Sequence, residues 1–165
     1  MSSLLKRLQE RKNDRGIMAN LRCILTPNKR HRAWPALNRL GIPVDDEVAA
    51  FIAGLYAMYP EETSTGNLGT ACRSIERSRD ERRGEDSKLT PTERRFQLLI
   101  TAESGEELNS RVLRILMLAK SQGVAINYER LLYDLREWPH KRQRVQNEWA
   151  REFWAPGAEP LEEGA

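Results

Sequence analysis

The chain is predicted to be all-α, a compact multi-helix protein made of two small helical bundles packed together. Three observations predict this. Apolar residues recur at the i, i+3, i+4, i+7 spacing of a helix face in segment after segment. Helix-starting and helix-stopping residues bracket those segments. No segment reads convincingly as a strand.

About nine helices follow in order along the chain. A first spans 3–12 and a second 15–25, with Asp14 placed as its N-cap and Pro27 beyond its end. Residues 26–32, Thr-Pro-Asn-Lys-Arg-His-Arg, form a polar, basic loop. A short helix at 33–40 tolerates Pro35 in its first turn and is closed by Gly41. Asp45 and Asp46 open the next helix, whose Val48, Phe51, Ile52, Leu55, Tyr56 and Tyr59 make one apolar stripe; Pro60 ends it. A loop at 61–66 leads to a short helix at 67–76.

Thr90, Pro91 and Glu93 start a helix carrying Phe96, Leu99 and Ile100. Ser104 and Glu107 read as a capping box for a helix that runs to about Gln122 and stops at Gly123, burying Leu108, Val112, Ile115 and Ala119. Asn127 caps a helix at 128–137, and the last helix spans 139–154, joined to it at Pro139. Val145, Trp149 and Phe153 fall four apart on its inner face.

This divides the chain into an N-terminal helical half (1–76), a charged mobile loop (77–89), a C-terminal helical half (90–154) and a disordered acidic tail (155–165). The loop is dense in both charge signs and nearly devoid of apolar groups, so it cannot help build a core. A chain of 165 residues is long enough to bury one.

Composition narrows the function. No charged, then apolar, leader opens the chain and no apolar run approaches a membrane span, so a cytoplasmic protein without membrane contact is expected. Cys23 and Cys72 sit in helical patterns and are expected to be reduced and buried. With His31 and His140 they show no metal-ligand spacing, so neither zinc nor any other cofactor is expected. There is no Gly-rich phosphate loop and no His-Glu-x-x-His, so no enzyme and no small-molecule substrate is expected. Asp134 and Glu137 lie three apart on a helix, but Arg130 and Lys141 or Arg136 are at hand to pair with them.

The net charge is only +3, yet it is segregated. Residues 1–39 hold ten Lys or Arg against two acids, while residues 40–62 hold five acids and no cation. The basic part is the pattern of a polyanion binder. The acidic part faces either a basic partner or solvent.

Three basic groups are the candidate nucleic-acid-binding residues. The first is Arg15 and Arg22, seven apart on one helix face, with Lys29, Arg30, Arg32 and Arg39. The second is Arg111 and Arg114, opposite the apolar stripe of their helix, with Lys120 further along. The third is Lys141, Arg142 and Arg144, placed in the first turns of the last helix. Cations are unfavourable at a helix N-terminus, and a polyanion would relieve that cost. Such groups suit phosphate contacts, which give affinity without sequence readout. The competing reading of each is a solvated helix face. Of the tryptophans, Trp34 adjoins the basic loop and is the best candidate to face nucleic acid, although core packing is favoured for it and for Trp149.

Four stretches, in order from residue 14 to 154, resemble one known family. They are Asp14-Arg15-Gly16-Ile17-Met18-Ala19-Asn20-Leu21-Arg22; Ala33-Trp34-Pro35 with Leu37 and Leu40; Glu93-Arg94-Arg95-Phe96 with Leu98-Leu99; and Leu131 to Trp138 followed by Val145 to Trp154. Together they are similar to the small subunit, CasB, of the type I-E CRISPR effector complex Cascade. The resemblance implies a wholly helical, non-catalytic subunit present in two copies as a head-to-tail dimer. Such a subunit would contact the guide RNA–target DNA hybrid and stabilise the displaced DNA strand. Its partners would be guide RNA, both DNA strands, other Cascade subunits and a second copy of itself. Two other readings of the residues stay open: a helical adaptor that binds only protein, and a helix-turn-helix regulator, for which no short-turn helix pair with a polar recognition helix is evident.

Overall fold

The computed structural model describes residues 2–80 and 88–154. The expected tail 155–165, and residues 81–87 of the expected charged loop, lie outside the described residues. Among the described residues there are nine α-helices: α1 (Ser3–Glu10), α2 (Arg15–Arg22), α3 (Trp34–Arg39), α4 (Glu47–Met58), α5 (Leu68–Ser78), α6 (Pro91–Ile100), α7 (Glu106–Gln122), α8 (Tyr128–Glu137) and α9 (Arg144–Phe153). Among them there is no strand, only an isolated parallel bridge between Glu62 and Ile126. The all-α expectation holds.

Helix α4 is the axis of the molecule. It packs against α1, α2, α7 and α8. Ala49 through Ala57 are all buried. The sequence reading of a single apolar stripe is therefore corrected: the helix is buried on every side. Small residues on the faces beside the stripe make this possible. A Cβ on Gly54 would sit 3.1 Å from Ile24 Cβ and 3.2 Å from the Leu21 carbonyl oxygen, so α2 and the turn after it come very close there.

The last carbonyls of α4 run out of backbone donors after Tyr59 N reaches Leu55 O, and side chains add further bonds at this end. Arg22 Nε donates to Ala57 O at 3.2 Å. Tyr128 Oη donates to Leu55 O at 3.3 Å and also reaches Tyr59 O. Tyr56 Oη donates to Glu62 at 3.3 Å, and Gln9 Nε2 lies 3.0 Å from both Glu62 oxygens. Glu62 thus belongs to an internal network rather than to an outward acidic face. Burial pushes the Tyr56 and Tyr128 phenols well up.

Helix α5 crosses α9 at Gly69, where a Cβ would lie 2.1 Å from the Trp149 carbonyl oxygen. The α9 seam of Val145, Trp149 and Phe153 is buried as its spacing predicts. The buried apolar residues of both halves form one cluster.

Several caps stand where the sequence puts them. Asp14 accepts from Ile17 N, Asp46 from Ala49 N and Asn127 from Arg130 N. Thr90 and Glu93 form a reciprocal capping box, and Gly123 ends α7 at φ +69°.

Other boundaries differ. Residues 26–32 are not a loop: Pro27–Ala33 forms a 3-10 helix, preceded by a second short one at Cys23–Leu25. Helix α5 runs through Arg77 and Ser78, so it takes the first two residues assigned to the charged loop. The Ser104–Glu107 capping box does not form. Gly105, at φ +101°, occupies the N-cap with no side-chain bond, and Glu107 pairs with Arg111 instead. The last helix begins at Arg144, not 139, because Gln143 adopts a left-handed conformation at φ +51°.

Candidate nucleic-acid interface

A contact from the neighbourhood of each basic group reaches the junction of α6 and α7. The first reaches it through the 3-10 helix. Arg30 Nε donates to Ile24 O at 3.2 Å, and its Nη2 lies 2.7 Å from Glu106 at the start of α7. The second group lies on α7 itself. Arg111 pairs with Glu107 at 2.9 Å and also donates to Leu98 O at the end of α6. The third arrives through Trp138, whose indole Nε1 donates to Ala102 O at 2.8 Å, just ahead of Lys141 and Arg142.

Between α6 and α7 lies a groove of about 240 Å³ lined by Arg95, Leu98, Ser110, Arg111, Arg114 and Ile115. Three arginines from two helices line it. Arg95 Nη1 is buried and has no hydrogen-bond partner among the described residues. A buried donor without a partner is costly. An anion in the groove would meet arginines from both helices, and guanidinium groups match oxyanions in bidentate geometry. Charge clustering along the sequence does not single out Arg95. It lies on a different helix from Arg111 and Arg114, so chain spacing carries no sign of their meeting.

The candidate cations divide by what they already hold. Arg15, Lys29, Arg32, Arg39, Arg114, Lys120, Lys141 and Arg142 are exposed and make no ion pair among the described residues. Arg22 is committed to the end of α4. Arg30, Arg111 and Arg144 are paired, Arg144 with Glu137 at 3.3 Å and with the Tyr133 hydroxyl at 3.1 Å. Only Arg144 of the third group stands on α9; Lys141 and Arg142 lie in the turn before it, so their expected placement in its first turns is corrected.

Asp134 pairs with Arg130, as expected, but Glu137 takes Arg144 rather than Lys141 or Arg136, and Arg136 pairs with Asp46. Trp149 is buried, whereas Trp34 is 50% exposed and not packed in the core. Cys72 is buried, while Cys23 is only partly so, and both thiols are free. Among the described residues no group of three or more His, Cys, Asp or Glu is placed to hold a metal ion. Among them no helix is long and apolar enough to cross a membrane.

Residues 18–154 match the family model for CRISPR-associated protein Cse2. The chain belongs to the Cse2 family. Its solved structural relatives agree with the CasB reading of the sequence. A Cse2-family CRISPR-associated protein from Thermus thermophilus superposes with a TM-score of 0.71 at 27% identity, over 92% of this chain and 94% of that one. A second structure, of CasB from Thermus thermophilus, gives 0.70 at 26%, over 92% and 94%. CasB from M. ruber gives 0.62 at 25%, over 84% of each. No curated protein sequence matches the chain. The Cse2 match contains every candidate cation except Arg15.

Proposed function

We propose that this Cse2-family chain is a non-catalytic subunit of Cascade, an RNA-guided DNA surveillance complex. It holds nucleic acid through phosphate contacts made around the α6–α7 corner. The observation that carries this reading is the groove of Arg95, Arg111 and Arg114, with its unpartnered buried guanidinium nitrogen. In a guided complex base pairing reads the sequence, so the protein needs only a basic surface of suitable shape. The arrangement suits contacts to the guide RNA–target DNA hybrid and to the displaced strand. The other Cascade subunits and a second copy of the chain complete the assembly, in the cytoplasm.

The test is fluorescence anisotropy with RNA, single-stranded DNA and duplex DNA across a salt series. The expected result is weak binding, little sequence preference and a steep negative salt slope. Replacing Arg95, Arg111 and Arg114 together by Ala should flatten the slope by roughly 0.7–0.9 for each phosphate no longer neutralised. No binding at low salt, or a salt-insensitive affinity, overturns the phosphate-contact reading. Loss of assembly into the complex with nucleic-acid binding intact favours a protein-only adaptor.

A further inference from the structure

We infer that Trp34 is a stacking platform for an unpaired base, with Lys29 and Arg32 on the adjoining 3-10 helix to meet phosphates of the same strand. The inference rests on the nucleic-acid reading above and narrows it to single strands at this site.

The four tryptophans differ in one respect. Trp138, Trp149 and Trp154 each donate their indole N–H, to Ala102 O, Asp134 and Glu93 respectively. The same three rings also pack against other aromatic rings. Trp34 is 50% exposed, and among the described residues it makes no aromatic or cation–π contact and no N–H hydrogen bond. Helix α3 does not need it for packing. Ala33, Ala36, Leu37 and Leu40 bury the inner face, and Trp34 stands outward with exposed Asn38 one turn on.

The support beneath the indole is well fixed. Pro27 and Pro35 bracket the segment and restrict its backbone. Arg30 ties the 3-10 helix to Ile24 and Glu106. Residues three apart on a 3-10 helix eclipse one another, so Lys29 and Arg32 share a face. Both are exposed and make no ion pair among the described residues. A platform held this way loses little freedom on binding.

The local charge selects the partner. No acid lies between Asp14 and Asp45, while Arg15, Lys29, Arg32 and Arg39 are all exposed. An exposed indole in a segment with four exposed cations and no acid suits a polyanion better than the apolar core of a protein contact. Bases within a duplex are already stacked on each other, so the platform favours a strand whose bases are free.

The experiment titrates the full chain and its Trp34→Ala and Trp34→Phe variants with a labelled oligothymidylate and with a random duplex of equal length. Anisotropy and intrinsic fluorescence are read, and circular dichroism confirms folding. Oligothymidylate should quench wild-type emission by an amount missing from Trp34→Phe. Trp34→Ala should lose about tenfold in oligothymidylate affinity at fixed salt. Its duplex affinity and salt slope should stay unchanged, because indole releases no counterion. Trp34→Phe should recover most of the loss. Unchanged oligothymidylate binding by Trp34→Ala overturns the inference, as does an equal loss on strand and duplex, while leaving the phosphate-contact reading intact. Failure of the wild type to bind either nucleic acid at low salt overturns both.

Discussion

Asp134 is fully buried between α8 and α9, and few residues are under stronger opposing forces. Trp149 Nε1 donates to its Oδ2 at 2.7 Å, and Arg130 Nε lies 3.0 Å from its Oδ1. Arg130 also reaches Glu148. Burial raises the carboxyl above its ordinary range; the Trp149 bond and the Arg130 charge pull it back only in part. Asp134→Ala should therefore cost about 2 kcal/mol in urea unfolding, because it leaves a buried indole N–H without its acceptor, while Arg130 keeps Glu148. The pH dependence has a definite sign. A carboxyl raised in the folded state binds its proton more tightly there than in the unfolded chain. Its contribution thus favours folding below the unfolded value and is lost as pH rises through the folded one. Wild type should gain on Asp134→Asn as pH falls through the raised value of the folded state. A gain for Asp134→Asn instead would mean that attraction to Arg130 outweighs burial. The cysteines offer a simpler check. Burial, aided by Glu76, pushes the Cys72 thiol up and shields it, while Cys23 is partly exposed. A thiol reagent at mildly alkaline pH should modify one cysteine in the native chain and the second only on unfolding.

At the scale of elements, close helix approach is set by missing side chains. The α5–α9 crossing brings a helix backbone within 2.1 Å of where a Cβ on Gly69 would be, and backbone cannot swing aside as a side chain can. Gly69→Ala should therefore separate the two helices and lower stability by about 3 kcal/mol or more, read as a fall in Tm. Gly16, in the first turn of α2, meets only Asp14 Oδ1 at 3.6 Å. Gly16→Ala should be neutral or gain roughly 0.5 kcal/mol from reduced backbone freedom in the unfolded chain. The start of α6 is also an anchor for the end of the described chain. Glu93 accepts from Thr90 N at 3.0 Å and from Trp154 Nε1 at 2.8 Å, and Trp154 meets Phe96 edge-on at 5.1 Å. Thr90→Ala removes one half of this box and should cost about 1 kcal/mol.

Across the whole molecule, chain order and spatial order part company at the α6–α7 corner. Arg30, Trp138 and Arg111 come from three separate segments, yet Glu106, Ala102 and Leu98 hold one atom of each near the end of α6 and the start of α7. Partial neutralisation by Glu106 and Glu107 keeps the cluster tolerable without a partner, while Arg95 and Arg114 stay uncompensated by ion pairs among the described residues.

By itself the sequence determined the helical class, the caps at Asp14, Asp46, Thr90 and Asn127, the stop at Gly123 and the α9 seam, since each depends on residues within a turn or two. Its four family-like stretches were also enough to point to the Cse2 family. Only the tertiary structure decided what depends on distant neighbours. Alanines carry little weight in a periodic pattern, so the full burial of α4 became visible only when α2 and α8 closed over them. The true start of α9 rests on the left-handed Gln143, a backbone state that spacing does not reveal. The exposure of Trp34 follows from Ala36 and Leu37 filling the inner face of α3, and the groove at Arg95 from the packing of α6 on α7. Local hydrogen bonding leaves its mark on neighbouring residues, whereas packing joins residues that the chain keeps far apart.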